Sequence, residues 1–230
     1  MNLDISTLES TDLFRTLPQA VLQKIAATAR ARTYPAGEAI VHQEDPGQTL
    51  YVVLSGTVKV STTLPDGSAV FLALLAAGDT FGELSLIDTG GRSADVETLE
   101  ASSLLIIDSR TFNELIDTTP AFTRNLLSVL SRRLRLANVR IQAHCTLDVY
   151  GLVARQILEF AELYGRTEPD GSIYVPIRLT QGSMADLVGA SRERVNQVMV
   201  SYRKSGLITV DTGYRITVLQ PEALRHRTEA

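Results

Sequence analysis

The stretch Thr180-Gln181-Gly182-Ser183-Met184-Ala185-Asp186-Leu187-Val188-Gly189-Ala190-Ser191-Arg192-Glu193-Arg194-Val195-Asn196-Gln197-Val198-Met199 decides how this chain is read. Met184, Leu187 and Val188 give a short apolar face, Gly189 permits a tight turn, and the Ser191 hydroxyl is placed to cap a second helix. Val195, Val198 and Met199 then bury one side of that helix. The spacing predicts helices over about 181–188 and 192–205 and a helix-turn-helix between them. In that motif the second helix lies in the DNA major groove with its N-terminal residues at the base edges. Its outward stripe is Arg192, Glu193, Asn196 and Gln197, at i, i+1, i+4 and i+5. Arginine suits guanine, glutamate suits cytosine, and the amides suit adenine. Arg194, Arg203 and Lys204 add charge for phosphates. Ser191, Arg192, Glu193, Arg194, Asn196 and Gln197 are therefore the expected DNA-binding set. A solvated helix hairpin is the plainer alternative.

Downstream, Leu207 to Val210, then Asp211-Thr212-Gly213, then Tyr214 to Val218 read as a β-hairpin wing. Upstream, Ser172 to Ile177 alternates like a strand, and Asp148 stands as N-cap of a helix from Val149 to Tyr164, ended by Gly165. Before it, residues 121–145 run without glycine or proline after Pro120. Leu127, Leu130, Leu134, Ala137, Ile141 and His144 alternate steps of three and four, the period of a coiled-coil seam. Spacing alone leaves two readings of this stripe open: a seam against a second copy, or packing on the chain's own sheet.

Residues 32–110 change texture to short apolar runs cut by glycine, with turn signals at Asp45-Pro46-Gly47 and Pro65-Asp66-Gly67. This predicts an antiparallel sandwich or barrel. Residues 8–30 and those from Thr111 onward are helical in period. These textures make the class α+β: a β-rich part, then a long helix, then a helix-turn-helix part that opens near Asp148.

Composition narrows the function. The chain has 230 residues, 44% hydrophobic and 21% charged, which is ordinary for a globular protein. Cys145 is the single cysteine, so an internal disulfide, an iron–sulfur cluster and a multi-cysteine zinc site are excluded. The three histidines, His42, His144 and His226, are scattered, and no metal or haem set is evident. Cys145 is expected to be a small buried residue. Met1-Asn2-Leu3-Asp4 does not open a signal peptide, and no apolar run is long enough to span a membrane, so a soluble cytoplasmic protein is expected. The net charge is −4, but residues 148–230 hold ten basic and ten acidic residues, which leaves 12 against 16 for residues 1–147. The C-terminal part carries no electrostatic objection to DNA. No ordered nucleophile, metal set or carboxylate pair suggests an enzyme.

One further cluster carries chemistry. Gly78-Asp79-Thr80-Phe81-Gly82-Glu83-Leu84-Ser85-Leu86-Ile87 leads through Asp88-Thr89-Gly90-Gly91 to Arg92-Ser93-Ala94. Gly82 lets backbone approach a ligand, Arg92 is a fork of donors for one phosphate, and Glu83 is an acceptor for a sugar hydroxyl. Ser93 adds a hydroxyl, and Glu83 to Ile87 reads as a short helix. These are the needs of a nucleotide pocket; a polar loop with a structural arginine fits the same residues.

From about Leu13 to Val218 the chain resembles the cyclic-AMP receptor/fumarate–nitrate regulator (CRP/FNR) family of bacterial transcription factors. The resemblance rests on Tyr34-Pro35-Ala36-Gly37-Glu38, Leu50 to Gly56, Gly78 to Leu84, Arg92-Ser93-Ala94, Arg132-Arg133-Leu134 and Ala190 to Val195, in family order and spacing. It implies an N-terminal β-roll effector domain over 1–118, a long dimerisation helix and hinge over 119–147, and a winged helix-turn-helix over 148–230. It further implies a homodimer reading a near-palindromic operator, contact with RNA polymerase, no cofactor, and cyclic AMP as allosteric ligand. It implies ligand binding by Gly82, Glu83, Leu84, Arg92, Ser93, Ala94, Ala137 and Asn138. In this reading Arg92 and Ser93 hold the cyclic phosphate, Glu83 holds the ribose 2′-hydroxyl, and Arg192 and Glu193 read bases. Two positions depart. Ala137 stands where the cyclic-AMP receptor has a hydroxyl for the adenine amine, and an amine left unpaired costs roughly 1–3 kcal/mol. Gln197 stands where the receptor has an arginine for guanine. Cyclic GMP, cyclic di-GMP, a ligand-independent regulator and a dimerising module acting through protein contacts remain open alternatives.

Overall fold

The computed structural model describes residues 5–9, 11–64, 69–88 and 90–229. The turn signal at Pro65-Asp66-Gly67, residue Thr89 and the Met1–Asp4 start lie outside them. The chain forms two compact units, Met1–Leu134 and Arg135–Ala230, which divide inside one helix.

In the first unit, helices α1 (Ile5–Glu9) and α2 (Gln19–Thr28) precede strands β1 (Arg30–Tyr34), β2 (Ala39–Val41), β3 (Thr49–Ser55), β4 (Thr57–Thr63), β5 (Ala69–Ala76) and β6 (Thr80–Phe81). A short helix α3 (Leu84–Ile87), strands β7 (Asp95–Thr98) and β8 (Ser102–Asp108), and helices α4 (Ser109–Thr118) and α5 (Pro120–Thr146) follow. The strands form two antiparallel four-stranded sheets, ordered β1-β8-β3-β6 and β2-β7-β4-β5. The chain repeatedly switches between them, which is the expected β-roll.

The continuous apolar run of β3 follows from burial on both faces. Tyr51 and Val53 enter the core between the sheets with Tyr34, Val58, Phe81 and Leu104. Leu50 and Val52 point the other way, into a core with Phe14, Ile25, Phe112 and Phe122 from the helical segments. Two-residue alternation separates the two sets.

The helical texture over residues 8–30 is not one helix. Pro18 lacks an N–H and pushes Leu17 out of the helical region, so turns occupy residues 11–16, with Thr16 at φ 65°, and α2 starts after Pro18. Asp108 caps α4 by accepting a hydrogen bond from the Thr111 N–H at 2.7 Å.

In the second unit, α6 (Val149–Tyr164) begins at the expected cap, where Asp148 accepts from the Gly151 N–H at 2.9 Å. Strands β9 (Arg166–Thr167) and β10 (Ile173–Val175), helices α7 (Gln181–Val188) and α8 (Arg192–Lys204), strands β11 (Ile208–Val210) and β12 (Ile216–Val218), and helix α9 (Pro221–Arg225) complete it. The sheet order is β11-β12-β10-β9. Arg140, late in α5, grips the buried Glu159 of α6 with two nitrogens, Nε reaching Oε2 at 3.3 Å and Nη2 reaching Oε1.

The stripe on α5 is open in the single chain: Leu127, Leu134 and Ile141 are 60%, 64% and 64% exposed. Ala137 and His144 are exposed and Leu130 is half-buried. Cys145 is exposed, contrary to the expectation of a buried residue, because it lies on the solvent side of α5 near its end. Among the described residues no helix is long and apolar enough to cross a membrane.

Candidate effector site and DNA interface

In the first unit, the loop between α3 and β7 is sewn to residues 44–47. The Arg92 N–H donates to the Asp45 carbonyl at 2.9 Å, the Arg92 carbonyl accepts from the Glu44 N–H at 2.8 Å, and Gly91 bridges Pro46. Gly91 has no Cβ for a reason: one would sit 2.8 Å from the Glu44 carbonyl oxygen.

That stitching aims the Arg92 side chain inward, where it is 6% exposed. Its Nη1 donates to the Thr49 carbonyl (2.9 Å), the Gly82 carbonyl (3.1 Å) and Ser85 Oγ (3.2 Å), and its Nη2 to Thr49 Oγ1 (2.7 Å). All four acceptors are neutral. Among the described residues no carboxylate pairs with it; the Tyr51 ring lies beneath it, 5.6 Å from centroid to Cζ. Burial pulls its pKa below the ordinary value, partly opposed by Tyr51, Glu83 and Asp45. Gly82, at φ +87°, leaves room for this guanidinium, since a Cβ there would collide with Nη1. The close approach expected of a ligand at Gly82 is, in this structure, an approach by Arg92 itself.

Glu83 sits beside this fork at the start of α3 and is 2% exposed. Its Oε1 accepts from Arg133 Nη1 at 2.7 Å, and Arg133 Nη2 also donates to the Thr80 carbonyl. Its Oε2 is buried and has no hydrogen-bond partner. A buried acceptor left unmade is costly, more so when charged. Leu84 is exposed, Ser93 is exposed and Ala94 is buried. Ala137 and Asn138 are exposed on α5, in the second unit. Gly82, Glu83 and Arg92 are thus brought together. Arg133, Thr49 and Ser85, absent from the expected set, hydrogen-bond to Glu83 or Arg92 in the same cluster. Arg133 stood in the Arg132-Arg133-Leu134 motif, but nothing in sequence ties it to a carboxylate 50 residues away.

In the second unit, Gly189 takes φ +63° between α7 and α8, the left-handed conformation the tight turn needs. Ser191 Oγ accepts from the Arg194 N–H at 3.3 Å and caps α8. Val195, Val198, Met199 and Tyr202 are buried, and the Tyr202 hydroxyl donates to the Tyr150 carbonyl of α6 at 2.8 Å. Burial drives that phenol well above its usual pKa. Ser191, Arg192, Glu193, Arg194, Asn196 and Gln197 are all exposed. They stand on the free side of α8, with a β11–β12 hairpin following. Gln181, not in the expected set, donates to Asn196 Oδ1 at 2.7 Å.

This combination, a β-roll with a buried arginine beside a buried glutamate and a helix-turn-helix followed by a hairpin, is the architecture of a DNA-binding regulator with a ligand-binding domain. Residues 31–119 match the family model for a cyclic nucleotide-binding domain, and residues 153–227 match the Crp-like helix-turn-helix domain. The chain is 32% identical over 215 residues to the CRP-like cAMP-activated global transcriptional regulator of Mycobacterium tuberculosis, covering 94% of this chain and 95% of that protein. Among solved structures it resembles the catabolite activator protein of Thermus thermophilus at 29% identity, with a TM-score of 0.53 and coverage of 95% and 99%. FixK2 of Bradyrhizobium japonicum shares the fold at a TM-score of 0.77 and 19% identity, over 88% of this chain and 98% of that one. The chain belongs to the CRP/FNR family. It is a transcription regulator with a cyclic nucleotide-binding domain and a DNA-binding helix-turn-helix; the relatives it matches are regulators and not enzymes.

Proposed function

We propose that the protein is a homodimer whose affinity for a near-palindromic operator is set by cyclic AMP. The observation that carries the sensory half is the pairing of two incomplete groups. Arg92 is a buried guanidinium without a carboxylate among the described residues, and Glu83 keeps a buried oxygen with no hydrogen-bond partner. A cyclic nucleotide supplies an anion for the first and a ribose hydroxyl for the second. Gly82, Leu84, Ser93 and Ala94 frame the same loop. Ala137 and Asn138 are the proposed contacts to the base, with Ala137 weakening the hold on the adenine amine.

The open stripe on α5 supports the dimer, since a second copy of the helix covers Leu127, Leu134 and Ile141. Residues 1–118 sense, 119–147 dimerise and carry a hinge near Cys145–Asp148, and 148–230 bind DNA. Ser191, Arg192, Glu193, Arg194, Asn196 and Gln197 meet the duplex, and RNA polymerase is the further partner. The ligand acts only through its differential affinity for two arrangements of the dimer. The protein works in the cytoplasm.

Calorimetry with cyclic AMP, cyclic GMP and cyclic di-GMP, followed by operator titration with and without the ligand that binds, tests the switch. The operator comes from selection on randomised duplexes. Failure of every nucleotide to bind, or binding that leaves operator affinity unchanged, overturns the sensory half. Unaltered DNA affinity after replacing Arg192 and Glu193 by Ala overturns the other.

A further inference from the structure

The first turn of α7 touches two of the proposed base readers. Thr180 caps that turn, its Oγ1 accepting from the Ser183 N–H at 3.1 Å, which fixes the backbone of Gln181 and Gly182. Gly182 faces the Arg192 guanidinium, whose Cζ would lie 3.5 Å from a Cβ at that position. Gln181 Nε2 donates to Asn196 Oδ1 at 2.7 Å. Both amide side chains are exposed, while Val195 beneath Asn196 is fully buried and holds α8 in register.

A free asparagine presents either end of its amide, an acceptor or two donors. Tied through Oδ1, Asn196 is left with its Nδ2 donors turned away from Gln181. We infer that Gln181 is a specificity-determining positioning residue: it fixes the Asn196 amide so that this reader offers donors to the duplex. The inference rests on the DNA-binding reading of α8. Donors match acceptor edges in the major groove: purine N7, guanine O6 and thymine O4. On the strand that Asn196 faces, cytosine, whose N4 amine is a donor there, is the disfavoured base.

The pair holds in water as an exposed hydrogen bond and gains weight when the groove excludes solvent. Its influence is therefore on which base is chosen more than on folding. Gln181→Ala frees the amide. Gln181→Glu can only accept, so it draws Nδ2 toward itself and turns Oδ1 outward.

The test is selection of half-sites from fully randomised duplex DNA with the full-length protein, run both with and without cyclic AMP, comparing wild type, Gln181→Ala, Gln181→Glu, Asn196→Ala and the double Ala variant. Far-ultraviolet circular dichroism verifies folding of each. Wild type is expected to show one position disfavouring cytosine. Gln181→Ala should lower the discrimination there by roughly three- to ten-fold, a fraction of a full bidentate contact. Gln181→Glu should move the preference toward a base with a donor edge at that position, besides any uniform loss from its added charge. Gln181→Ala should add nothing in the Asn196→Ala background. A uniform loss of affinity with an unchanged base profile makes Gln181 a phosphate contact or a bystander and overturns the inference. A wild-type protein that enriches no motif either with or without cyclic AMP overturns the DNA reading itself, and the inference with it.

Discussion

Replacing Glu83 by Gln separates a binding role from a structural one. The carboxylate is 2% exposed, and its two oxygens differ: Oε1 holds Arg133 at 2.7 Å and Oε2 holds nothing. Gln keeps the shape and an oxygen for Arg133, whose side chain is 32% exposed and partly hydrated. With that oxygen on Arg133, the amide puts a neutral Nε2 donor where the unpartnered Oε2 stood, so the buried charge is lost and one polar atom there stays unpaired. The unliganded variant is therefore expected to unfold within about 1 kcal/mol of wild type. The ligand meets a different balance. A hydrogen bond to a charged acceptor contributes about 1.5–3 kcal/mol and a neutral one about 0.5–1.5 kcal/mol. The difference, about 1.2 kcal/mol, lowers cyclic AMP affinity about eight-fold. Calorimetry with cyclic AMP and its 2′-deoxy analogue reads this directly. Wild type should discriminate between the two. Glu83→Gln should discriminate less, because the hydrogen bond that the deoxy sugar cannot make is already weak in the variant. Equal affinity of both proteins for cyclic AMP, or equal discrimination against the deoxy analogue, refutes the assignment of Oε2 to the ribose.

Charging the open stripe by Leu134→Glu together with Ile141→Glu is expected to leave a folded monomer, because both positions are 64% exposed in the single chain; sedimentation equilibrium reads the change in mass. Gly189→Ala should cost about 1 kcal/mol in thermal or urea unfolding, since the penalty comes from φ +63° alone and the nearest atom to the new Cβ, His144 Cε1, lies 3.9 Å away. Asp108→Ala should cost about 1 kcal/mol at pH 7 through the lost cap of α4. The Thr111 N–H holds the folded pKa of Asp108 below the 3.8 of a free carboxyl. Its contribution is therefore complete above that value and disappears as pH falls through the lowered one, so wild type and variant should converge in acid unfolding experiments.

Local signals carried the DNA-binding unit: the helix bounds, the Gly189 turn and the Ser191 and Asp148 caps all depend on residues within a few positions of one another. The β-roll was legible as texture, from glycine spacing and short apolar runs, but which strands pair was not. Residue separation explains what stayed hidden. Arg92 finds Thr49 across 43 residues and Glu83 finds Arg133 across 50. Gln181 reaches Asn196 across the turn only because α7 packs on α8. The uninterrupted helical period over residues 8–30 misled because it records burial alone, and Pro18 breaks the backbone without disturbing the apolar spacing.

The placement of β3 limits where a sensor of this shape can give way. Thr49 at its start grips Arg92 and Tyr51 lies under the same guanidinium, while Leu50 and Val52 are rooted among the helices. Sliding this strand by one residue would turn every side chain to the wrong wall. Arg92 is thus bolted to a plank nailed down on both sides. On the function proposed above, an arriving anion would find its grip already set, and any signal would have to be carried onward by parts that are not so fastened.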